Sequence, residues 1–211
     1  MLLNIAAIVI GFLLGSIPSA YIIAKLRKGI DIRQADYTGN MGAGAVFRQV
    51  GRWEGAVVAI VDIGKGSAAI LIAQALGVSQ PWILAAGFAA ILGHNFPPYI
   101  GFRGGQGVDT IIGVFLVLSP IAMLATMGIM GIALLVTRHI FTMTAIAAPF
   151  LPLFIWVFDG FGMTFYFSLI IIAYVLFRSR HRLKEFQPIP GKVGQQKHQA
   201  LSHRHKESDL T

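Results

Sequence analysis

Three polar stretches carry most of the groups able to do chemistry in this chain: Asp31–Arg48 (DIRQADYTGNMGAGAVFR), Gly93–Thr110 (GHNFPPYIGFRGGQGVDT) and Phe177–Phe186 (FRSRHRLKEF). The most pointed segment is Gly101-Phe-Arg-Gly-Gly-Gln-Gly107, with four glycines in seven residues. Glycines let successive backbone N–H groups turn toward one point. With the N-terminus of a following helix they form a cradle for an anion such as phosphate. Arg103 would add a guanidinium fork for phosphate oxygens. The Gly-Lys-Ser/Thr ending of a nucleotide-hydrolysing loop is absent, so that chemistry is not indicated. The same glycines also suit a flexible turn between helices. Thr38-Gly-Asn-Met-Gly-Ala-Gly44 reads in the same two ways, as a backbone nest or as close helix packing.

His94 closes an apolar run beside the glycine segment and can serve as a structural interface residue, a phosphate ligand or a proton-transfer group. No second histidine or carboxylate stands at metal-ligand spacing from it, so no metal site is expected. The absence of cysteine excludes disulfides, thiol chemistry and thiolate metal centres. Asp62 and Lys65 lie three apart within an apolar run, on one helical face, about 12 Å beyond Glu54 at 1.5 Å per residue. Charges at that depth turn toward the protein interior, and a structural ion pair is the expected role. His181, His198, His203 and His205 sit in a basic stretch and read as surface residues.

The elements that must position these groups belong to a membrane. Of 211 residues, 55% are apolar and 12% charged, and the mean hydropathy is +0.71. Soluble domains run near 45–50% apolar and about 25% charged. The net charge of +8 is concentrated in residues 25–54 and 178–211, with nearly uncharged runs between them. That is the charge asymmetry of a membrane protein and not a nucleic-acid face. Leu2–Ala24 is long enough to cross a bilayer core of about 30 Å. It lacks the basic start of a signal peptide, so a retained helix is expected, interrupted by Gly15 and Pro18. The polar stretch 25–54 is a loop. Further runs follow at Gly55–Gly77, Trp82–Leu92, Ile111–Val136, Ile140–Phe158 and Phe161–Phe177. Placing every basic segment in the cytoplasm requires an even number of passes between 101–110 and Arg178. Proline at 120 stops a helix, so the long run divides there. The expectation is an all-α, polytopic bundle of about seven transmembrane helices, N-terminus out and C-terminus in. Residues 1–186 form the membrane domain, and 187–211 a basic, disordered cytoplasmic tail.

The motifs taken together resemble the acyl-phosphate-dependent glycerol-3-phosphate acyltransferases, bacterial membrane enzymes of phospholipid synthesis. The resemblance spans roughly 11–186. It rests on Gly15-Ser-Ile-Pro-Ser-Ala-Tyr21, Asp31-Ile-Arg33, Gly39-Asn-Met-Gly-Ala43 with Arg48, Asp62-Ile-Gly-Lys-Gly66, Gly93-His-Asn-Phe-Pro97, and Gly101-Phe-Arg-Gly-Gly-Gln-Gly-Val108 with Thr110. The chain departs from the family pattern at Thr38, where the family has serine; at Gly44-Ala45, where it has Thr-Asn; at Arg103 and Gln106, where it has two lysines; and at Asp109, normally a small residue.

The resemblance implies transfer of a fatty acyl group from acyl phosphate to the 1-hydroxyl of glycerol 3-phosphate at the cytoplasmic face of the plasma membrane. No cofactor or metal is called for. Arg103, Gly104, Gly105 and Gly107 would cradle the acyl-phosphate head, and Arg48 and His94 would hold glycerol phosphate. Thr38 and Asn40 would orient the acceptor, making Thr38, Asn40 and His94 the catalytic set. Gly42 and Thr110 would complete the binding site. A divergent, non-catalytic member binding lipid or phosphate is the competing reading. A transporter is disfavoured, because transporters place their polar groups at the midplane and not at one face. Membrane lipids are the expected surroundings; oligomeric state has no sequence signal.

Overall fold

The computed structural model describes residues 1–36, 41–138 and 140–179, and among these the chain is helical with no strand. Helices α1 (Leu2–Gly15) and α2 (Ser19–Lys28) share the first apolar run, parted at Ser16–Pro18. Two short helices follow, α3 (Ile32–Ala35) and α4 (Ala43–Gln49), then the long α5 (Arg52–Ala75) and α6 (Gln80–Asn95). A single 3-10 turn, Pro98–Ile100, leads through the glycine segment into α7 (Val108–Leu118). The series ends with α8 (Pro120–Thr137), α9 (Ile140–Ala147), α10 (Phe150–Asp159) and α11 (Met163–Ser179). The chain divides into two compact units, Met1–Ala173 and Tyr174–Thr211, and the polar segments 31–48 and 93–110 lie in the first. The expected tail, with its histidines, lies outside the described residues.

Among the described residues, five helical stretches are long and apolar enough to cross a membrane: 2–28, 52–75, 80–100, 120–137 and 142–159. Two shorter apolar helices, Val108–Leu118 and Met163–Arg178, accompany them. The all-α, polytopic membrane class therefore holds. The division at Pro120 is present: α7 stops at Leu118, and the Ser119 hydroxyl donates to the Asp159 carboxylate at the end of α10.

One apolar run carries a turn inside it, and one expectation changes. Within 140–158 a turn at Ala148–Pro149 separates α9 from α10. Proline has no N–H to donate, and its ring crowds the carbonyl four residues back. The stretch 25–54 is no plain loop. α2 runs on to Lys28 and ends on left-handed Gly29 (φ 68°), and α3 is capped by the Asp31 carboxylate, which accepts the Arg33 N–H at 3.0 Å.

Small residues set the packing. A methyl group on Gly11 or Gly15 of α1 would collide with the carbonyls of Ala86 or Ala90 on α6, and one on Gly93 would strike the Phe12 carbonyl. On the opposite flank Gly66 of α5 abuts the Thr110 carbonyl, Gly113 of α7 abuts the Ile63 carbonyl, and the Ser67 hydroxyl donates to the Gly113 carbonyl at 2.9 Å. Lipid is as apolar as leucine, so membrane helices associate through such close backbone approach and not through burial of large side chains. Large apolar side chains accordingly face outward: Ile60, Leu71, Ile121, Leu124 and Ile170 are all exposed.

Candidate active site

Where the α1–α2 break, the end of α6 and the glycine segment meet, they form a small, partly open cleft lined by Pro18, Ser19, Tyr21, Lys65, His94 and Gly105, among others. Each wall has a local cause. Pro18 cannot continue α1, so the chain turns and Ser19 begins a new helix facing α5. α6 ends at Asn95 because Pro97 and Pro98 follow it. The chain then doubles back through Gly101 (φ 73°) and Phe102 (φ 59°), both left-handed.

The doubled-back segment is pinned to the end of α6. The Phe102 N–H donates to the Pro97 carbonyl at 3.0 Å, Gly104 to Asn95 at 3.2 Å, and Gly105 to His94 at 3.3 Å. The glycines thus act differently from a ring of N–H groups aimed at an anion. Gly104 and Gly105 use their N–H groups to satisfy carbonyls that a helix end leaves orphaned. They are glycine because a methyl group on Gly104 would meet the His94 carbonyl, and one on Gly105 the His94 Nε2. Gly107 (φ 84°) caps α7, and a side chain there would press on Asn95 Oδ1 at 2.8 Å. The first turn of α7 supplies the backbone N–H groups not used within the helix.

The sequence-predicted residues divide accordingly. His94, Gly104 and Gly105 line the cleft; Gly42, Arg48, Arg103, Gly107 and Thr110 do not. Gly42 is buried at the start of α4, where its carbonyl accepts the Ala45 N–H at 3.0 Å. Arg48 forks onto Asp36 (Nε–Oδ1 3.2 Å, Nη2–Oδ2 2.9 Å), tying α4 to the end of α3. Arg103 is exposed and has no hydrogen-bond or ion-pair partner among the described residues. Thr110 is buried in the α5–α7 contact, its hydroxyl without a partner among the described residues. Thr38 and Asn40 lie outside the described residues. Also among the described residues, no three His, Asp or Glu side chains gather as a metal site would require.

Sequence reasoning gave no site role to Ser19, Tyr21 or Lys65, nor to Asp62 behind them. The Asp62 carboxylate is fully buried. Its Oδ1 accepts from the Ser19 hydroxyl at 2.5 Å and from Lys65 Nζ at 2.8 Å, and lies 3.7 Å from His94 Nδ1. Lys65 Nζ also donates to the Ile17 carbonyl at 3.1 Å, inside the α1–α2 break. A charge within an apolar run was the available signal. The i,i+3 pairing follows from it; the contacts to Ser19 and His94 do not. At the rim, Arg33 binds Asp31 and the Ile100 carbonyl (3.2 Å) and lies over the Tyr21 ring at 5.1 Å. The bonded Arg33 guanidinium holds the Asp31 carboxyl below the usual carboxylate range.

The profile of the family described as glycerol-3-phosphate acyltransferase matches residues 5–187. The chain belongs to that family. It is 34% identical over 187 residues to the glycerol-3-phosphate acyltransferase of Geobacter sulfurreducens, covering 89% of this chain and 95% of that one. It is 36% identical over 184 residues to that of Geotalea daltonii, covering 87% and 94%. Its fold is similar to the crystal structures of PlsY (YgiH), an integral membrane glycerol 3-phosphate acyltransferase. With the glycerol 3-phosphate form the TM-score is 0.79 at 32% identity, covering 86% of this chain and 90% of that one. With the lysophosphatidic acid form it is 0.76, at the same identity and coverage.

Proposed function

We propose that this acyltransferase moves a fatty acyl group from acyl phosphate to the 1-hydroxyl of glycerol 3-phosphate, giving lysophosphatidic acid for phospholipid synthesis. The observation that carries the reading is the convergence of His94, Lys65 and the glycine segment on one cleft, in a chain of this family. In the reaction the hydroxyl oxygen attacks the acyl carbon. A new C–O ester bond forms, the bond from acyl carbon to phosphate oxygen breaks, and the departing phosphate takes the hydroxyl proton. Catalysis is then positioning and charge stabilisation of the oxyanion. Arg103 and the start of α7 serve the donor phosphate. His94 meets the acceptor, with Thr38 and Asn40 orienting it, and Arg48 holds α4 in place beside it. Gly42, Gly104, Gly105, Gly107 and Thr110 allow the close backbone approach this needs.

The long and short apolar helices support seven passes, N-terminus out and C-terminus in, with the cleft at the cytoplasmic face of the plasma membrane. An enzyme reporter fused after Thr211 should be active only as a cytoplasmic reporter; periplasmic activity would overturn this topology. For the reaction, purified protein should release phosphate from acyl phosphate only when glycerol 3-phosphate is supplied. No release at any substrate concentration would overturn the reading and favour a non-catalytic, lipid-binding member.

A further inference from the structure

Asp62 and Lys65 form an ion pair within the membrane bundle with both partners buried, their side chains 0% and 4% exposed. A buried ion pair is a weak device for stability alone, because an apolar pair of similar volume often serves as well or better. Here the pair does more than neutralise itself. One oxygen, Asp62 Oδ1, faces donors from three elements: Ser19 at the start of α2, Lys65 one turn along α5, and His94 at the end of α6. Lys65 in turn binds the Ile17 carbonyl, a backbone group freed where Pro18 breaks the helix.

The two nitrogens of His94 look opposite ways. Nδ1 faces Asp62, while Nε2 lies so close to Gly105 that a methyl group there would overlap it. The imidazole therefore stands between a buried carboxylate and the glycine segment lining the cleft. A carboxylate on that side favours the tautomer with its proton on Nδ1, leaving Nε2 as the atom that meets a ligand.

We propose that Asp62 is a positioning residue for His94. It orients the ring and selects its tautomer, and Lys65 balances its charge and locks it to the α1–α2 break. This rests on the acyltransferase reading above, in which His94 meets the acceptor.

The test separates positioning from simple charge pairing. Asp62→Asn should lower kcat about 10- to 100-fold, the scale seen when the partner behind a metal-ligating histidine is removed, with KM for glycerol 3-phosphate unchanged. Asp62→Asn leaves Lys65 uncompensated and can unfold the chain. The double variant Asp62→Asn/Lys65→Gln removes both charges and should restore the detergent-stable folded fraction without restoring kcat. A double variant that turns over like the wild type would overturn the proposal and leave a structural ion pair. Independently of turnover, protein carrying 15N-histidine should show the His94 signal, identified by its loss in His94→Gln, as Nδ1-protonated. In folded Asp62→Asn/Lys65→Gln the proton should redistribute toward Nε2. An unchanged His94 spectrum there would also overturn the proposal. If the wild type transfers no acyl group while its His94 spectrum depends on Asp62, the acyltransferase reading fails and the positioning contact stands.

Discussion

Two ion pairs in this protein have nearly the same geometry and opposite surroundings. Arg27 Nε lies 3.1 Å from Glu54 Oε1 at the rim of the bundle, with the arginine side chain 63% exposed. Lys65 Nζ lies 2.8 Å from Asp62 Oδ1 inside it, with both side chains buried. At the rim, water and salt solvate each partner almost as well as the other partner does, so the pair adds little. Within the bundle no solvent replaces a lost partner, and each charge depends on the groups that fold around it. Arg48–Asp36 stands between them: the arginine is 33% exposed, and the carboxylate is fully buried. Bond length does not rank these pairs; access to water does.

Lys65→Met should break the comparison most severely. It leaves the Asp62 charge buried with only Ser19 and His94, at a cost of about 3–5 kcal/mol. The readout is a fall in Tm and in folded yield in detergent. Arg48→Met should come next, at about 1–3 kcal/mol, because it takes the bidentate partner from a buried carboxylate. Arg48→Lys should recover only part, since an ammonium cannot reproduce the fork.

A charge can also be added at an intermediate depth. Gln106 is half-buried at the glycine segment, where the family pattern has lysine. Hydrogen bonds to a charged group exceed neutral ones by about 1–2 kcal/mol. Gln106→Lys should therefore raise kcat/KM about 5- to 30-fold, and adding Asp109→Ala should raise it further by removing a competing carboxylate. Steady-state rates of the two variants against wild type check both statements.

At the rim the effects become small. Arg27→Met should leave Tm within measurement error, and a drop like that of Lys65→Met would erase the distinction between rim and interior pairs. Asp31 supplies the pH counterpart. Its carboxyl is held below the ordinary value of 3.8 by Arg33, so its contribution is present above that pH and is lost as pH falls through the depressed value. Melting curves of wild type and Asp31→Asn should differ slightly and equally from pH 5 to 8, then converge in acid.

Much of this contrast was already visible along the chain. Asp62 and Lys65 pair because helical spacing makes residues three apart neighbours, and an apolar run around them implies burial. Proline at 18 and at 120 ends a helix for reasons confined to its own ring and missing N–H. Pro149 was open to the same reasoning, yet the length of the apolar run concealed the turn. The short helices between Ile32 and Gln49 were obscured by polar, glycine-bearing sequence that reads as loop.

By itself, the sequence determined the membrane class, the family, the breaks at Pro18 and Pro120, and the pairing of Asp62 with Lys65. All of these depend on composition, motif order or neighbours within a helical turn. Only the tertiary structure decided that the N–H groups of Gly104 and Gly105 go to the end of α6, that Arg48 grips Asp36, and that Ser19 and His94 meet at one oxygen of Asp62. Those contacts join elements distant along the chain. Their geometry is set by how closely Gly11, Gly15, Gly66, Gly93 and Gly113 let the helices approach, and no local propensity encodes it.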